Sequence, residues 1–228
     1  MAGTAAVFFD VDFTLIQPGR RFRGEGYAET CARHGLCVDP AGFQAGVVAA
    51  AVLLEAVDVR YDHEVFVRYT ARIIEVMGGS GPAVRLAAQE IYADWAEHRH
   101  FEMYADVPDA LRRLHARGVR LGLISNSHRC LISFQDHFAL AGLIDVCVSS
   151  AEFGVMKPDP RIFREGLTRM GVAPERAVMV GDSLPHDVAG ARGVGMGAVY
   201  LDRARRGGEV PARVPTIHTL NDLAALVE

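Results

Sequence analysis

Residues 5–10, Ala-Ala-Val-Phe-Phe-Asp, carry five successive apolar side chains and then stop at an acid. A strand with one wet face alternates apolar and polar residues. An unbroken apolar run of strand length instead suits a strand covered on both faces, as in a parallel sheet. Similar runs return at 119–124, 145–149, 177–180 and 197–201. Between them lie helical patterns. The segment 107–117 sets Leu111 and Leu114 on one face, with Pro108 near its start and Gly118 just past its end. Segments 129–140, 160–170 and 185–192 read in the same way. Strands alternating with helices predict a doubly wound α/β domain with a Rossmann-like parallel sheet. Ligands of such sheets bind outside the carboxyl ends of the strands.

The first two runs are separated by residues 17–106, far more than an ordinary connection. This interval carries no strand signal, and its periodicity predicts helices over 24–34, 40–55, 63–77 and 82–99. The expected organisation is therefore a core built from 1–16 and 105–228, with a helical domain, 17–104, inserted into it. The stretch 45–54 is apolar enough to form either the core of that insertion or a dimer face, so a homodimer is one reading.

Composition excludes several classes. Charged residues make up 23% and hydrophobic residues 50% of the 228, a globular rather than a disordered balance. The net charge, 24 − 28 = −4, lacks the basic footprint of a general nucleic-acid binder. The longest apolar stretch, 45–54, stops at Glu55, whereas a membrane-spanning helix needs about 20 apolar residues. The first residues lack the charged start and apolar core of a signal peptide. Cys31, Cys37, Cys130 and Cys147 form no CxxC pair. Reduced structural thiols and a cytoplasmic location are expected. Twenty-three of the 24 basic residues are arginine, and the single lysine is Lys157. Such a skew fits codon pressure from a GC-rich genome, and it marks Lys157 as a position where arginine does not serve.

Four polar stretches follow the predicted strands. The first is Asp10-Val11-Asp12-Phe13-Thr14, whose two acids at i and i+2 can face one side. The others are Ser125-Asn126-Ser127, Lys157-Pro158-Asp159-Pro160, and Gly181-Asp182-Ser183 with Asp187 beyond. Each alone matches the composition of an ordinary turn or cap. Their order, each after a predicted strand, is far more specific.

In that order and setting the four stretches resemble the motifs of the haloacid dehalogenase superfamily of hydrolases, and the resemblance runs the length of the chain. Asp10 to Thr14 resembles the DxDxT motif, Ser125 the second-motif serine, Lys157 the third-motif lysine, and Asp182 with Asp187 the fourth-motif acids. The long insertion after the first motif looks like a C1-type helical cap, as in phosphoglycolate-phosphatase-like members. The resemblance implies a phosphatase acting on a small phosphorylated metabolite, with no nucleic acid or membrane involved. It implies Asp10 as nucleophile, Asp12 as general acid and base, and Lys157 as the charge that neutralises the site. Ser125 and the Asn126 main chain would hold phosphoryl oxygens, and Thr14 would orient the loop. Asp10, Asp182, Asp187 and the Asp12 carbonyl would bind Mg²⁺. Charge supports a cation. Four carboxylates with one proton on Asp12 carry −3, which Mg²⁺ and Lys157 balance.

Other readings are a sugar-phosphate mutase, a 2-haloacid dehalogenase, or a non-catalytic binding protein of the same fold. Dehalogenases typically carry tyrosine where this chain has Asp12, and Asp12 therefore favours phosphate chemistry. One departure is Phe13, where the family commonly has glycine.

Overall fold

The computed structural model describes residues 3–55, 60–205, 207 and 209–227. It divides the chain into two compact units, Met1–Gln17 with Met103–Glu228, and Pro18–Glu102.

The larger unit is built on a six-stranded sheet. Its strands are β1 (Ala6–Phe9), β4 (Arg120–Ser125), β5 (Val146–Ser149), β6 (Ala177–Gly181), β7 (Gly197–Leu201) and β8 (Thr216–Ile217). The order is β5-β4-β1-β6-β7-β8, and neighbouring strands run parallel. All four residues of β1 are fully buried, which accounts for its unbroken apolar run. Phe8 fills the space left by Gly122, where an added Cβ would lie 2.5 Å from the ring, and it packs among Ile124, Phe163, Leu167, Met170 and Met179. Burying a side chain of that size contributes about 1.5–3 kcal/mol.

Helices α5 (Val107–Ala116), α6 (Leu131–His137), α7 (Ser150–Phe153), α8 (Pro160–Met170) and α9 (Gly190–Gly193) connect these strands. α8 shows how the sequence sets its ends. Asp159 accepts from the Arg161 amide at 2.8 Å, Pro160 opens the first turn, and Gly171 closes the helix at φ 61°. Its buried face, Ile162, Phe163, Gly166, Leu167 and Met170, has helical spacing.

The smaller unit holds α1 (Gly24–Arg33), α2 (Phe43–Glu55), α3 (His63–Val76) and α4 (Ala83–Asp94). Gly46 lets α2 approach the Ile73 backbone closely, since an added Cβ would sit 3.0 Å from it. Stacked and tilted rings of Phe22, Trp95 and Phe101 form a cluster at 4.6–5.1 Å. On α2, Ala50 is buried while Val48 and Val52 are exposed. No helix among the described residues is long and apolar enough to cross a membrane.

Several local expectations are corrected. Residues 17–106 were expected to carry no strand, yet β2 (Ile16–Pro18) and β3 (Phe101–Met103) pair as a two-stranded sheet. Three residues are too few to show periodicity. The helix expected over 129–140 is shorter, because Cys130 is extended and ends a loop. The helix expected over 82–99 stops at Asp94 and gives way to turns. The segment 185–192 is a π-helix, Leu184–Ala189, running into α9.

Candidate active site

The chain crosses from β1 to β4 and β5 on one side of the sheet, and then to β6, β7 and β8 on the other. The strand order therefore reverses at β1, the place where sheets of this kind bind ligands at the carboxyl ends of their strands. Asp10 stands there. Its amide donates to the Val180 carbonyl at 2.9 Å, continuing the ladder one residue past β1. The following turn is tight. The amides of Thr14, Leu15 and Ile16 all donate to the Val11 carbonyl, and that of Phe13 donates to Ile16. Phe13 pays for the turn with a left-handed backbone, φ 63°, and the residue is 46% exposed.

Lys157 is buried, and its ammonium donates to Asp10 Oδ1 at 2.6 Å and to Asp187 Oδ1 at 2.7 Å. Burial works against a charged ammonium, but the Asp10 and Asp187 carboxylates outweigh it and hold Lys157 above its ordinary range. The backbone of Lys157 is clamped by Asn126, whose amide nitrogen donates to the Lys157 carbonyl at 2.9 Å and whose oxygen accepts from its amide at 2.7 Å. The Asn126 side chain is thus committed to the lysine loop, which leaves its main chain for other partners. Ser125 is buried at the end of β4, beside Ser149 of β5.

Asp187 is turned inward by the π-helix, a local widening of the helix that is frequent at functional sites. Its Oδ2 also accepts from the Ser183 amide at 3.1 Å. Burial, with Asp10 adding to it and Lys157 opposing, raises its carboxyl above the usual range. Gly181 is required for this arrangement, because an added Cβ would collide with the Asp187 carboxylate. Thr14 is fully buried, and its carbonyl accepts from Arg203 Nη2 at 2.9 Å. Its hydroxyl makes no hydrogen bond among the described residues.

The carboxyl of Asp12 has a different partner. Both of its oxygens accept from Arg129 Nη1 at 3.0 Å. Burial lifts this carboxyl above the usual range, with Arg129 opposing. Sequence reasoning missed Arg129, because one arginine among 23 carries no signal. In the smaller unit, Arg21 is held by Asp94 and Glu90, and Arg20 pairs with Glu29, so both are engaged with its own acids.

Asp10, Asp182 and Asp187 each offer an oxygen, and the three atoms lie within 4.8 Å of one another. Hard oxygen donors at that spacing suit Mg²⁺. Burial is the main cause of the raised Asp187 carboxyl, and a divalent cation beside it would favour the charged form. The donor set fits the ion.

A family model described as haloacid dehalogenase-like hydrolase matches residues 4–195. The chain is 37% identical over 135 residues to a phosphoserine phosphatase of Thermus thermophilus, covering 58% of this chain and about half, 53%, of that one. It is 30% identical over 201 residues to a glyceraldehyde 3-phosphate phosphatase of Methanothermobacter thermautotrophicus, covering 86% and 85% of the two. The HAD-hydrolase YfnB of Bacillus subtilis, solved with magnesium bound, superposes with a TM-score of 0.79 at 18% identity over 98% of each chain.

Proposed function

We propose that this chain, which belongs to the haloacid dehalogenase-like hydrolase family, hydrolyses phosphate monoesters of small metabolites through an aspartyl phosphate on Asp10. An Asp10 oxygen bonds to phosphorus as the bond to the leaving oxygen breaks, and Asp12 gives that oxygen its proton. Water then attacks the phosphorus and Asp12 takes a proton back. Asp10 is regenerated and inorganic phosphate leaves. Lys157 donates to the nucleophile and meets phosphoryl charge. Ser125 and the Asn126 amide hold phosphoryl oxygens, and Thr14 shapes the loop.

Asp10, Asp182 and Asp187 would hold Mg²⁺, with the Asp12 main chain as a further oxygen donor. When bound, the ion would neutralise charge on the transferring phosphoryl group. The carrying observation is that two acids two residues apart have different partners, Asp10 on Lys157 and Asp12 on Arg129. Paired carboxylates in unlike environments are suited to unlike roles. The phosphatase names of two relatives support the same reading and favour small phosphorylated substrates. A cytoplasmic location is part of the same reading.

The test is inorganic phosphate release from a panel of phosphorylated sugars and carboxylic acids with Mg²⁺, run beside Asp10→Asn. Wild type should turn over at least one substrate. The variant should keep its circular dichroism and lose activity to below about one per cent, roughly 3 kcal/mol in barrier. Activity well above that level, beyond slow deamidation of the asparagine, would exclude Asp10 as nucleophile. Halide release from 2-haloacids in place of phosphate release would reinstate the dehalogenase.

A further inference from the structure

We propose that Arg129 is the positioning residue of the proton-transfer step: it fixes the Asp12 carboxyl in place for the leaving oxygen. The proposal rests on the phosphatase reading above and deepens it. Its side chain is fully buried, although arginine is among the residues least often buried without a partner. Its Nη1 spans both Asp12 oxygens at 3.0 Å, so the carboxyl is held against rotation at both atoms. A protonated carboxyl keeps an acceptor oxygen, and the contact therefore survives the arrival of the proton.

The loop that delivers Arg129 is built for the purpose. The Arg129 amide donates to Ser127 Oγ at 2.9 Å. The Ser127 carbonyl in turn accepts from Ser149 Oγ at 2.7 Å, which ties the loop to the end of β5. Arg129 is consequently set by the end of β5, which lies beside the end of β4 that presents Ser125. A buried pair costs desolvation on both sides and is weak as a device for stability alone. As a device for orientation it is strong, since a misplacement of about 1 Å can cost on the order of a hundredfold in rate.

The step has a signature that separates positioning from folding. Proton donation matters greatly when the leaving group is a poor one, such as an alkoxide, and little when it is a nitrophenolate, which departs without a proton. The experiment measures kcat/KM, which reports the steps through leaving-group departure, for p-nitrophenyl phosphate and for an alkyl phosphate such as glycerol phosphate. Wild type, Arg129→Met, Arg129→Lys and Asp12→Asn are compared. The ratio of the two values is independent of how much of each protein folds.

Arg129→Met should lose at least about tenfold more on the alkyl ester than on the aryl ester, and Arg129→Lys should recover part of that loss. In an Asp12→Asn background, Arg129→Met should change the ratio little, because both act on one step. An unchanged ratio in both Arg129 variants overturns this proposal and leaves the phosphatase reading standing. No hydrolysis of any phosphate ester by the wild-type enzyme overturns that reading and this proposal with it. If Arg129→Met is insoluble, the Arg129→Lys ratio decides alone: a wild-type ratio counts against the proposal and a raised aryl preference for it.

Discussion

Lys157 occupies a position where a broader cation does not fit. Its ammonium sits between two carboxylate oxygens at 2.6 and 2.7 Å, with the side chain 2% exposed. A guanidinium is planar, wider, and seeks a fork-shaped partner. Lys157→Arg preserves charge but should lower kcat by about a hundredfold or more, with Lys157→Ala at least as damaging, measured as steady-state phosphate release. Near wild-type kcat/KM in Lys157→Arg would make the residue a generic counter-charge. Phe13 poses the opposite case, a residue at odds with its backbone. At φ 63° a side chain costs about 1 kcal/mol or more that glycine avoids. Phe13→Gly should therefore be more stable than Phe13→Ala by about 1 kcal/mol in denaturant melts, the reverse of the usual order between these residues. If alanine is the more stable, the turn is not left-handed in solution.

At the scale of elements, the π-helix Leu184–Ala189 decides where Asp187 points, and Gly181 at the end of β6 clears the space it needs. Gly181→Ala keeps the sheet but forces the Asp187 carboxylate aside. It should lower phosphate release by at least about a hundredfold while leaving the circular dichroism spectrum intact. Retained activity would mean that Asp187 reaches its partners in another way. Elements of this kind explain what was legible in the chain. β1, β4, β5, β6 and β7 could be read because strands buried on both faces write long apolar runs. β2, β3 and β8 span two or three residues and write nothing. The π-helix spans only six residues, too few for its wider winding to show in the periodicity. The acids at strand ends stood out by order. Arg129 and Arg203 did not, because in an arginine-rich chain an arginine engaged with the core differs from a solvated one only by what surrounds it in space.

At the scale of the whole chain, the three acids that could hold a metal come from distant segments. Asp10 and Asp182 are 182 − 10 = 172 residues apart, and all three acids belong to the unit formed by Met1–Gln17 and Met103–Glu228. An ion that bridges them binds the folded state and not the unfolded chain, so its binding energy adds to folding energy. At a Mg²⁺ concentration of about 100 times Kd the gain is about 2.7 kcal/mol. For a chain of this size that corresponds to a rise of roughly 5–10 °C in Tm. Calorimetric scans with Mg²⁺ and after chelation should show this rise in wild type. Asp182→Asn should lose most of the rise, and without metal its Tm should equal or exceed that of wild type, because one of three crowded carboxylates has been neutralised. The readout needs no substrate and so stands apart from the activity assays. A wild-type Tm indifferent to millimolar Mg²⁺ would remove the metal from this cluster. A metal-free Asp182→Asn well below wild type would show the acid serving the fold instead of a cation.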